Sequence, residues 1–533
     1  MSKGDIVGLA YLVAIVLFIF GIKRLGRVRT AANGNRLAAL AMLIATVATL
    51  VNIDVVGWPW IVGGLVVGGV LGAVAAIRVP MTDMPEMVAL LNGSGGAASL
   101  LVALAVLFPV FAQHDAVEPA DGKAKIVKTW DSWTPGEKLY NVRLGPPVAM
   151  PVGSGPVDLP ADQPSLQDVG ELKKPTSDPS QIATLLLSII IGGITLTGSL
   201  VAYCKLSGKL IGGDAIVFPG QHLLNLLLIL AMAGLGGYAG FVLTDPGPAM
   251  GMMIGVAVLS LVLGITLVIP IGGADMPVVI SLLNSYSGVA ASMTGFVLKE
   301  NVLIVSGAMV GAAGLILTNI MCKAMNRSLI SVLLGGFGQT SGGGGGQAKD
   351  ARDYSNIKRT TSEELAMLLD GISSVIVVPG YGLAVAQAQH AVRELADYLE
   401  AQDVTVRYAI HPVAGRMPGH MNVLLAESNV PYEQLVEMDE INSDFKTTDV
   451  VIVLGANDVV NPASLDEPDN PLYGMPILNV HEARTVVVVK RSLSPGYAGV
   501  KNKLFEADNA MMLFADAKVA LTETLNEMKE NAA

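Results

Sequence analysis

Hydrophobic residues are concentrated in nine long stretches that precede residue 330. Each stretch has about the 20 residues that an α-helix needs to cross a bilayer. The pattern therefore predicts nine transmembrane helices, over residues 5–22, 37–53, 60–79, 87–112, 181–203, 223–243, 249–270, 277–298 and 301–321. The first stretch lacks a small-residue cleavage site and is followed by basic residues, so we expect a retained helix rather than a signal peptide.

The basic residues between the stretches predict how the chain is oriented. They cluster in the 23–36 loop, at Lys205 and Lys209, and at Lys323 and Arg327. Cytoplasmic loops of membrane proteins hold an excess of Lys and Arg. We therefore expect the amino terminus outside and the part after the ninth stretch in the cytoplasm.

A segment without long apolar stretches, residues 113–180, interrupts the membrane part. It is rich in proline, glycine and acidic residues, and the predicted topology puts it outside. Its composition predicts a loosely ordered loop or a small cap. We expect Trp130 and Trp133 to lie at the membrane interface.

The membrane part also contains an internal repeat. Asp-Met-Pro at 83–85, followed by Leu-Leu-Asn at 90–92, recurs 192 residues later at 275–277 and 282–284. Both copies open a stretch that runs from the cytoplasm outward. We therefore expect two parallel four-helix units with the ninth helix added, one of the ways in which transporters are built.

After a glycine run at 342–346, strand patterns alternate with helix patterns. The predicted strands are 374–378, 404–410, 450–454, 477–480 and 485–490, and the predicted helices are 383–399 and 510–528. The alternation predicts a doubly wound parallel sheet of the Rossmann type. The chain thus divides into a polytopic α-helical membrane domain (1–330), a glycine-rich linker (331–355) and a cytoplasmic α/β domain (356–533).

Composition excludes two classes of protein. Hydrophobic residues make up 52% of the chain and charged residues only 15%, which is unusual for a soluble globular protein. The net charge of −11 argues against nucleic-acid binding.

A glycine turn follows the first strand of the α/β domain. Gly380-Tyr381-Gly382 stands between a strand and a helix, as in the dinucleotide fingerprint, where glycines allow a tight turn and close approach of a pyrophosphate. Val385 occupies the position of the third glycine. The pattern fits a nucleotide site or a tight turn without a ligand.

Cationic residues at two strand ends favour NADP(H) over NAD(H). The second strand ends at Ile410 and is followed by His411 and Arg416, without the acid that usually holds a ribose 2′-hydroxyl. Lys490-Arg491-Ser492 follows a later strand and suits a phosphomonoester, although solvated charges would give the same pattern. Asp458, after another strand, either contacts a nicotinamide or caps the next helix.

Few polar residues fall within or beside the apolar stretches. Asp83, Glu86 and Asp275 stand at cytoplasmic helix starts, where acids also suit the helix dipole. Asn92 and Asn284 lie about two turns into their stretches, at equivalent positions of the repeat. Each asparagine either joins helices or lines a path for water and protons.

Several segments closely resemble the β subunit of proton-translocating nicotinamide nucleotide transhydrogenase. They are residues 322–328, 379–389, 411–422, 455–458, 490–492 and 496–500. The resemblance covers most of the chain apart from roughly 113–180. It implies that the α/β domain binds NADP(H), and that NAD(H) binds to a partner α subunit.

The resemblance also assigns roles to residues. The Gly380 turn and Arg416 would face the pyrophosphate, Tyr497 would belong to a lid, and Asp458 would lie near the nicotinamide and take part in coupling. The cofactor-binding residues it implies are Gly380, Tyr381, Gly382, Ala384, Val385, His411, Arg416, Gly455, Asn457, Asp458, Lys490, Arg491, Ser492, Gly496 and Tyr497, with Lys490, Arg491 and Ser492 on the 2′-phosphate.

In the membrane, Asp275 and Asn284 match positions that the family links to proton conduction or its control. Some members carry a histidine where Asn92 stands here, and asparagine cannot take up a proton near neutral pH. The protonatable group would then belong to the partner subunit or be Asp83, Glu86 or Asp275.

The activity implied is direct hydride transfer between NADH on the α subunit and NADP+ on this chain, driven by inward proton movement across the inner (cytoplasmic) membrane. A dimer of the α/β unit is implied as well. Two other hypotheses explain parts of the pattern. One is a secondary transporter regulated by NADPH, and the other is a dehydrogenase anchored by its helices.

Overall fold

The computed structural model of this chain describes most of its residues. These are 3–25, 28–52, 58–111, 179–208, 210–213, 215–242, 246–333, 354–417, 419–468, 470–496 and 498–531, with five short strands between 116 and 171. Trp130, Trp133 and Tyr497, which the sequence singled out, lie outside the described residues.

Nine helices of the described chain are long and apolar enough to cross a membrane, which confirms all nine predicted spans. They are α1 Lys3–Leu25, α2 Val28–Asn52, α3 Trp58–Arg78, α4 Met84–Phe111, α5 Pro179–Ser207, α6 Gln221–Gly237, α7 Pro246–Val268, α8 Met276–Leu298 and α9 Asn301–Ala324. A short helix, α10 Leu329–Leu333, follows them. The chain is a multi-pass membrane protein.

Glycines let several of these helices pack backbone to backbone. A Cβ placed on Gly288 of α8 would lie 2.5 Å from the backbone nitrogen of Gly311 on α9. Gly96 of α4 and Gly192 of α5 meet in the same way, with 2.7 Å from the first Cβ to the second carbonyl oxygen. Such close contact is how membrane helices associate without a hydrophobic driving force between them.

The internal repeat is visible in the backbone. A single 3₁₀ turn, Met81–Asp83, leads into α4, and the same turn, Gly273–Asp275, leads into α8. The two helices then start at Met84 and Met276, so the structural equivalence follows the register of the sequence repeat.

The interrupting segment contains a small antiparallel sheet. Its strands are β1 Ala116–Ala120, β2 Lys123–Lys128, β3 Lys138–Asn141, β4 Val157–Asp158 and β5 Gln167–Glu171, in the order β4-β2-β1-β3-β5. Of the two expectations for residues 113–180, the small cap fits these strands better than a loosely ordered loop does.

The carboxyl-terminal part is a six-stranded parallel sheet flanked by helices. Its strands are β6 Ser374–Pro379, β7 Thr405–Ile410, β8 Leu435–Glu437, β9 Val450–Leu454, β10 Thr485–Val489 and β11 Ala510–Leu513, in the order β11-β10-β9-β6-β7-β8. The order confirms the doubly wound prediction, because it grows outward in both directions from the first strand. β9 is buried along its whole length, as expected of a central parallel strand.

Short helices cover both faces of this sheet. They are α11 Ser362–Leu368, α12 Tyr381–Val385, α13 Gln389–Glu400, α14 His420–Glu427, α15 Met438–Ile441, α16 Ala463–Asp466 and α17 Ala517–Asn531. The longest, α13 and α17, contribute Leu395 and Leu521 to the larger of two apolar clusters on either side of the sheet.

Three predicted elements differ in the structure. The helix expected over 383–399 is two helices, because the backbone of Gln387 takes a positive φ of 49° between them. The helix expected over 510–528 begins with strand β11, since pairing with β10 outweighs the helix preference of its Ala, Met and Leu. Residues 477–480 are not a strand: Ile477 and Leu478 are buried, but their backbone bonds to loops.

Candidate functional site

The sheet reverses its strand order between β6 and β9, and ligands of such sheets bind at this point, beyond the carboxyl ends of the strands. Pro379, which ends β6, pairs with Leu454, which ends β9. Leu454 also pairs with Val489, the last residue of β10. Three of the segments singled out in the sequence therefore leave the sheet side by side.

Glycine backbones form the floor of this crevice. The Gly380 N–H donates to the Leu454 carbonyl (2.9 Å), and the Gly382 N–H donates to that of Gly455 (3.0 Å). A Cβ on Gly380 would lie 2.5 Å from the Ala456 backbone, and one on Gly455, where φ is +66°, would lie 2.3 Å from the Gly382 Cα. Only glycine fits here, so the backbones of the two turns lie in direct contact at the end of the sheet.

The residues after the glycine turn are divided between core and surface. Ala384 is fully buried in the apolar core, where it gives the close helix–strand packing that the third glycine of the fingerprint provides elsewhere. Val385, at the fingerprint position itself, is exposed. The missing glycine is therefore replaced in its packing role by a neighbouring alanine.

Arg416 lies at the edge of the glycine turn and also reaches the membrane part. Its guanidinium carbon is 4.3 Å from the centre of the Tyr381 ring, within the range of a cation–π contact. It donates a hydrogen bond to the Leu206 carbonyl in the last turn of α5 (3.2 Å). The loop after β7 thus contacts both the crevice and a long apolar helix, α5.

His411 begins that loop and is neutral. Its Nε2–H donates to the Pro476 carbonyl (2.9 Å), and its Nδ1 accepts from the Val413 N–H (3.3 Å). Burial lowers the pKa of His411 to about 4, against the opposing effect of the Pro476 hydrogen bond. The ring therefore holds the loop in place and brings no positive charge to the crevice at neutral pH.

Lys490 follows β10 and lies against the end of β9. Burial lowers its pKa to about 8, and the charge of Asp458 opposes this shift. Its ammonium donates to the Ser494 carbonyl and lies 5.2 Å from the centre of the Phe505 ring. Oriented with its oxygen toward donors, the Asn457 amide accepts from Lys490 Nζ (2.9 Å) and from the Gly496 N–H (2.8 Å).

Arg491 and Ser492 are exposed next to Lys490, and the Ser492 hydroxyl lies 3.0 Å from that of Ser494. A partly buried ammonium, an exposed guanidinium and a hydroxyl are thus grouped at one strand end. This donor set suits a phosphomonoester, since all three side chains donate hydrogen bonds to anionic oxygens.

Asp458 holds the segment that follows the cationic cluster. Its Oδ2 accepts from the Ala498 N–H (3.0 Å), and a Cβ on Gly496 would lie 2.1 Å from its Oδ1. It opens a single 3₁₀ turn, Asp458–Val460, whose preceding residue makes no side-chain cap. The carboxylate therefore lies against Gly496 and accepts from Ala498 instead of capping a helix.

The polar residues of the membrane part lie on α4 and α8. Asn92 is buried, and its Nδ2 donates to the Ile280 carbonyl of α8 (3.2 Å). That carbonyl belongs to the turn that ends at Asn284, which is half-buried. The equivalent asparagines of the repeat thus lie on adjoining helix turns, and Asn92 joins the two helices.

The acidic residues at the starts of α4 and α8 have different surroundings. Asp275 is buried and accepts from Arg327 across 2.8 Å between Oδ2 and the guanidinium. Asp83 is half-buried and accepts from the Thr82 hydroxyl (3.0 Å). Glu86 is half-buried in the first turn of α4.

The sequence matches the family model described as "NAD(P) transhydrogenase beta subunit" over residues 7–133 and 159–527. The chain belongs to this family. The unmatched gap lies within the interrupting segment. Two relatives named "NAD(P) transhydrogenase subunit beta", one from Rhodospirillum rubrum and one from a defined strain of that species, are each 43% identical over 519 residues, covering 97% of this chain and 98% of theirs.

Two basic residues and one asparagine at helix ends of this transhydrogenase β-family chain make contacts that its sequence does not predict. Arg327 indicates the topology and belongs to a segment typical of the family, and in the structure it pairs with Asp275 within the membrane part. Its neighbour Asn326 donates to the Tyr473 carbonyl (2.8 Å). Lys205 is buried and donates to the Ile269 and Ile271 carbonyls beyond α7 (2.6 and 2.8 Å). Basic residues directly at a helix end are the signal that could have revealed them.

Proposed function

We propose that this β subunit binds NADP(H) at the reversal point of its sheet and couples hydride transfer to proton movement. The observation that supports this most directly is the glycine floor between β6 and β9, with Lys490, Arg491 and Ser492 at the end of the next strand. A tight glycine turn between a strand and a helix is where sheets of this type hold a pyrophosphate. The cluster supplies donors for a 2′-phosphate, which distinguishes NADP(H) from NAD(H).

The residues present fit this cofactor. Gly380, Gly382 and Gly455 would face the pyrophosphate, and Arg416 lies beside them at Tyr381. Asp458 and Asn457 hold the 494–498 segment, and we assign that segment, with Tyr497, to a lid. When bound, the nicotinamide supplies the hydride chemistry, so the protein contributes placement, exclusion of water and electrostatics.

The NAD(H) site would belong to a partner α subunit. Within the described residues there is one parallel sheet with a reversal point of the dinucleotide-binding type. We therefore assign the site for the second nucleotide to another chain. The proposed reaction is NADH + NADP+ + H+ (out) = NAD+ + NADPH + H+ (in). We assign nucleotide binding to residues 356–533 and proton movement to residues 1–330, with residues 331–355 as the linker between them. The protein would lie in the inner membrane with its amino terminus outside. The assembly would be a dimer of α/β units.

The proposed proton path runs along α4 and α8. Asn92 and Asn284 lie on adjoining turns, about two turns into α4 and α8, and Asp275 lies at the start of α8, the end that we assign to the cytoplasm. Asp83 and Glu86 hold the corresponding end of α4. Among these, the carboxylates are the groups that can take up a proton, and the asparagines can only orient water.

The cofactor assignment is tested by calorimetry on the chain in lipid nanodiscs, with Arg491→Ala. Removing a charge-assisted hydrogen bond should weaken NADPH binding about 10- to 100-fold and leave the weak binding of NADH unchanged. Arg484→Ala is the matched control, because Arg484 is exposed at the other end of the same strand and pairs with Asp449.

Two results would contradict the proposal. Equal affinity for NADPH and NADH would show that Lys490, Arg491 and Ser492 do not bind a 2′-phosphate. Hydride transfer is measured in the complex with an α subunit, with an acetylpyridine analogue of NAD+ as the acceptor. If NADPH binds tightly but transfers no hydride, a transporter regulated by NADPH would be favoured.

A further inference from the structure

Two neighbouring residues at the end of α9 point in opposite directions. Arg327 reaches back into the membrane part and binds Asp275 (2.8 Å). Asn326 reaches forward, and its Nδ2 donates to the Tyr473 carbonyl of the α/β domain (2.8 Å). The two residues are adjacent in the chain, so a single peptide bond connects the ion pair of the membrane part with the contact to the α/β domain.

The receiving segment is shaped for Asn326. Gly474 has a positive φ of +74°, and a Cβ on it would lie 2.5 Å from Asn326 Nδ2. Asn326 itself has a positive φ of 49°, a conformation that asparagine tolerates better than most residues. Both sides of the contact thus depend on residue types suited to a special backbone conformation.

The same segment continues to the proposed nucleotide site. Two residues after Gly474, the Pro476 carbonyl accepts the hydrogen bond of His411 (2.9 Å). His411 begins the loop that ends with Arg416 over the Tyr381 ring. A short series of bonded contacts therefore joins Asp275 at the membrane to the edge of the glycine turn.

We propose that Asn326 is a positioning residue that links the Asp275–Arg327 pair to the nucleotide crevice through residues 473–476 and His411. The inference rests on the proposed function and adds a residue-level connection to it. A change at Asp275 that moves Arg327 would move Asn326, Pro476 and then the loop that contains Arg416. By linkage, nucleotide binding would act back on Asp275 to the same extent.

The test uses the complex with its α subunit in proteoliposomes, with Asn326→Asp and Asn326→Gly. Aspartate keeps the size but cannot donate to the Tyr473 carbonyl, and glycine keeps the positive φ without a side chain. We expect the protons moved per hydride transferred to fall at least about fivefold in both variants. We also expect the KM for NADP+ to lose its response to an imposed pH gradient. Without a gradient, kcat should change by less than about twofold.

Gly474→Ala should give the same loss by displacing the Asn326 amide. Gly371→Ala is its matched control, because Gly371 has nearly the same φ (+72°) and open space around its Cβ position. The control measures backbone strain alone, and coupling should be retained in it. A smaller effect of Gly474→Ala in the Asn326→Gly background would support a direct contact.

Unchanged proton-to-hydride ratios in both Asn326 variants, with only a lower melting temperature, would overturn the inference and leave a purely structural contact. Loss of coupling in Gly371→Ala as well would also overturn it, because strain anywhere in the domain would then suffice. Wild-type complex that moves no protons would contradict the proposed function itself, so the two failures are distinguishable.

Discussion

At the scale of single residues, the proposed 2′-phosphate site depends on the charge of Lys490. Its pKa of about 8 lies well below that of a free lysine because the side chain is partly buried. The ammonium is therefore protonated below about pH 8 and loses its charge above it. A phosphomonoester is already a dianion in this range, since its second pKa is about 6.

We predict that NADPH affinity falls as the pH rises above about 8, by up to about tenfold per unit, until the pKa of the bound state is reached. NADH affinity should not follow this slope because NADH lacks the phosphate. Calorimetry in nanodiscs between about pH 7 and about pH 9.5 measures both curves.

Lys490→Arg is the control for this titration, because arginine stays charged throughout the range. The slope should then disappear for NADPH. A slope that persists in the arginine variant, or one shared by NADH, would show that another group titrates and that Lys490 does not contact the phosphate.

At the scale of elements, the hydrophobic pattern predicts those helices and strands whose formation depends mainly on burying apolar residues. The nine helices and strands β6, β7, β9 and β10 follow from long or continuous apolar runs. The pattern missed β11 and β8, because their residues become strands only by pairing with neighbours. It also missed the break at Gln387, where a local backbone conformation divides an otherwise helical run.

The candidate site was predictable to a similar degree. The glycine turn and the cationic cluster follow from residue type next to a strand end. The contacts of Arg416 with α5 and of Asn326 with Tyr473 were not predictable, because each joins residues more than 140 positions apart. The buried, neutral state of His411 likewise depends on a carbonyl, at Pro476, that its local sequence does not reveal.

Helix packing gives a prediction at this scale. Gly288→Ala would force a methyl group against the backbone of Gly311 and Gly307, at 2.5 Å and 2.9 Å, so α8 and α9 must separate. We expect a loss of about 1–3 kcal/mol in stability, as is typical of overpacking. The melting temperature in detergent micelles measures it.

Gly68→Ala on α3 is the matched control, since nothing lies within 4 Å of its Cβ position. Alanine is the better helix former, so this variant should be neutral or slightly more stable. A melting temperature that falls equally in both variants would contradict packing as the cause.

At the scale of the whole molecule, the α/β domain contacts the membrane part through the loops of its nucleotide crevice. Arg416 reaches the end of α5, and Val413 of the same loop packs against an apolar cluster that contains Met321 of α9. Asn326 binds the loop that supports His411. The residues proposed to hold NADP(H) are therefore connected through these contacts to the ends of α5 and α9, which is what coupling between the two parts requires.

The decisive residue at this scale is Asp275, whose carboxylate is both a candidate proton carrier and the partner of Arg327. Asp275→Asn keeps the size of the side chain and removes its charge, so we expect proton movement in proteoliposomes to fall to background. Hydride transfer between bound nucleotides should persist, because the substitution changes none of the residues assigned to the nucleotide. An indicator of internal pH, read together with the acetylpyridine assay, measures both.

The double variant Asp275→Asn/Arg327→Gln separates the two roles of the carboxylate. Removing one partner of a buried ion pair leaves a charge uncompensated, which costs about 3–5 kcal/mol when both groups are buried and less here, where Arg327 is one-third exposed. The second substitution removes that charge. If Asp275 carries the proton, pumping stays lost in the double variant. If its role is only to pair with Arg327, pumping returns, and the carrier must be sought at Asp83, at Glu86 or on the α subunit.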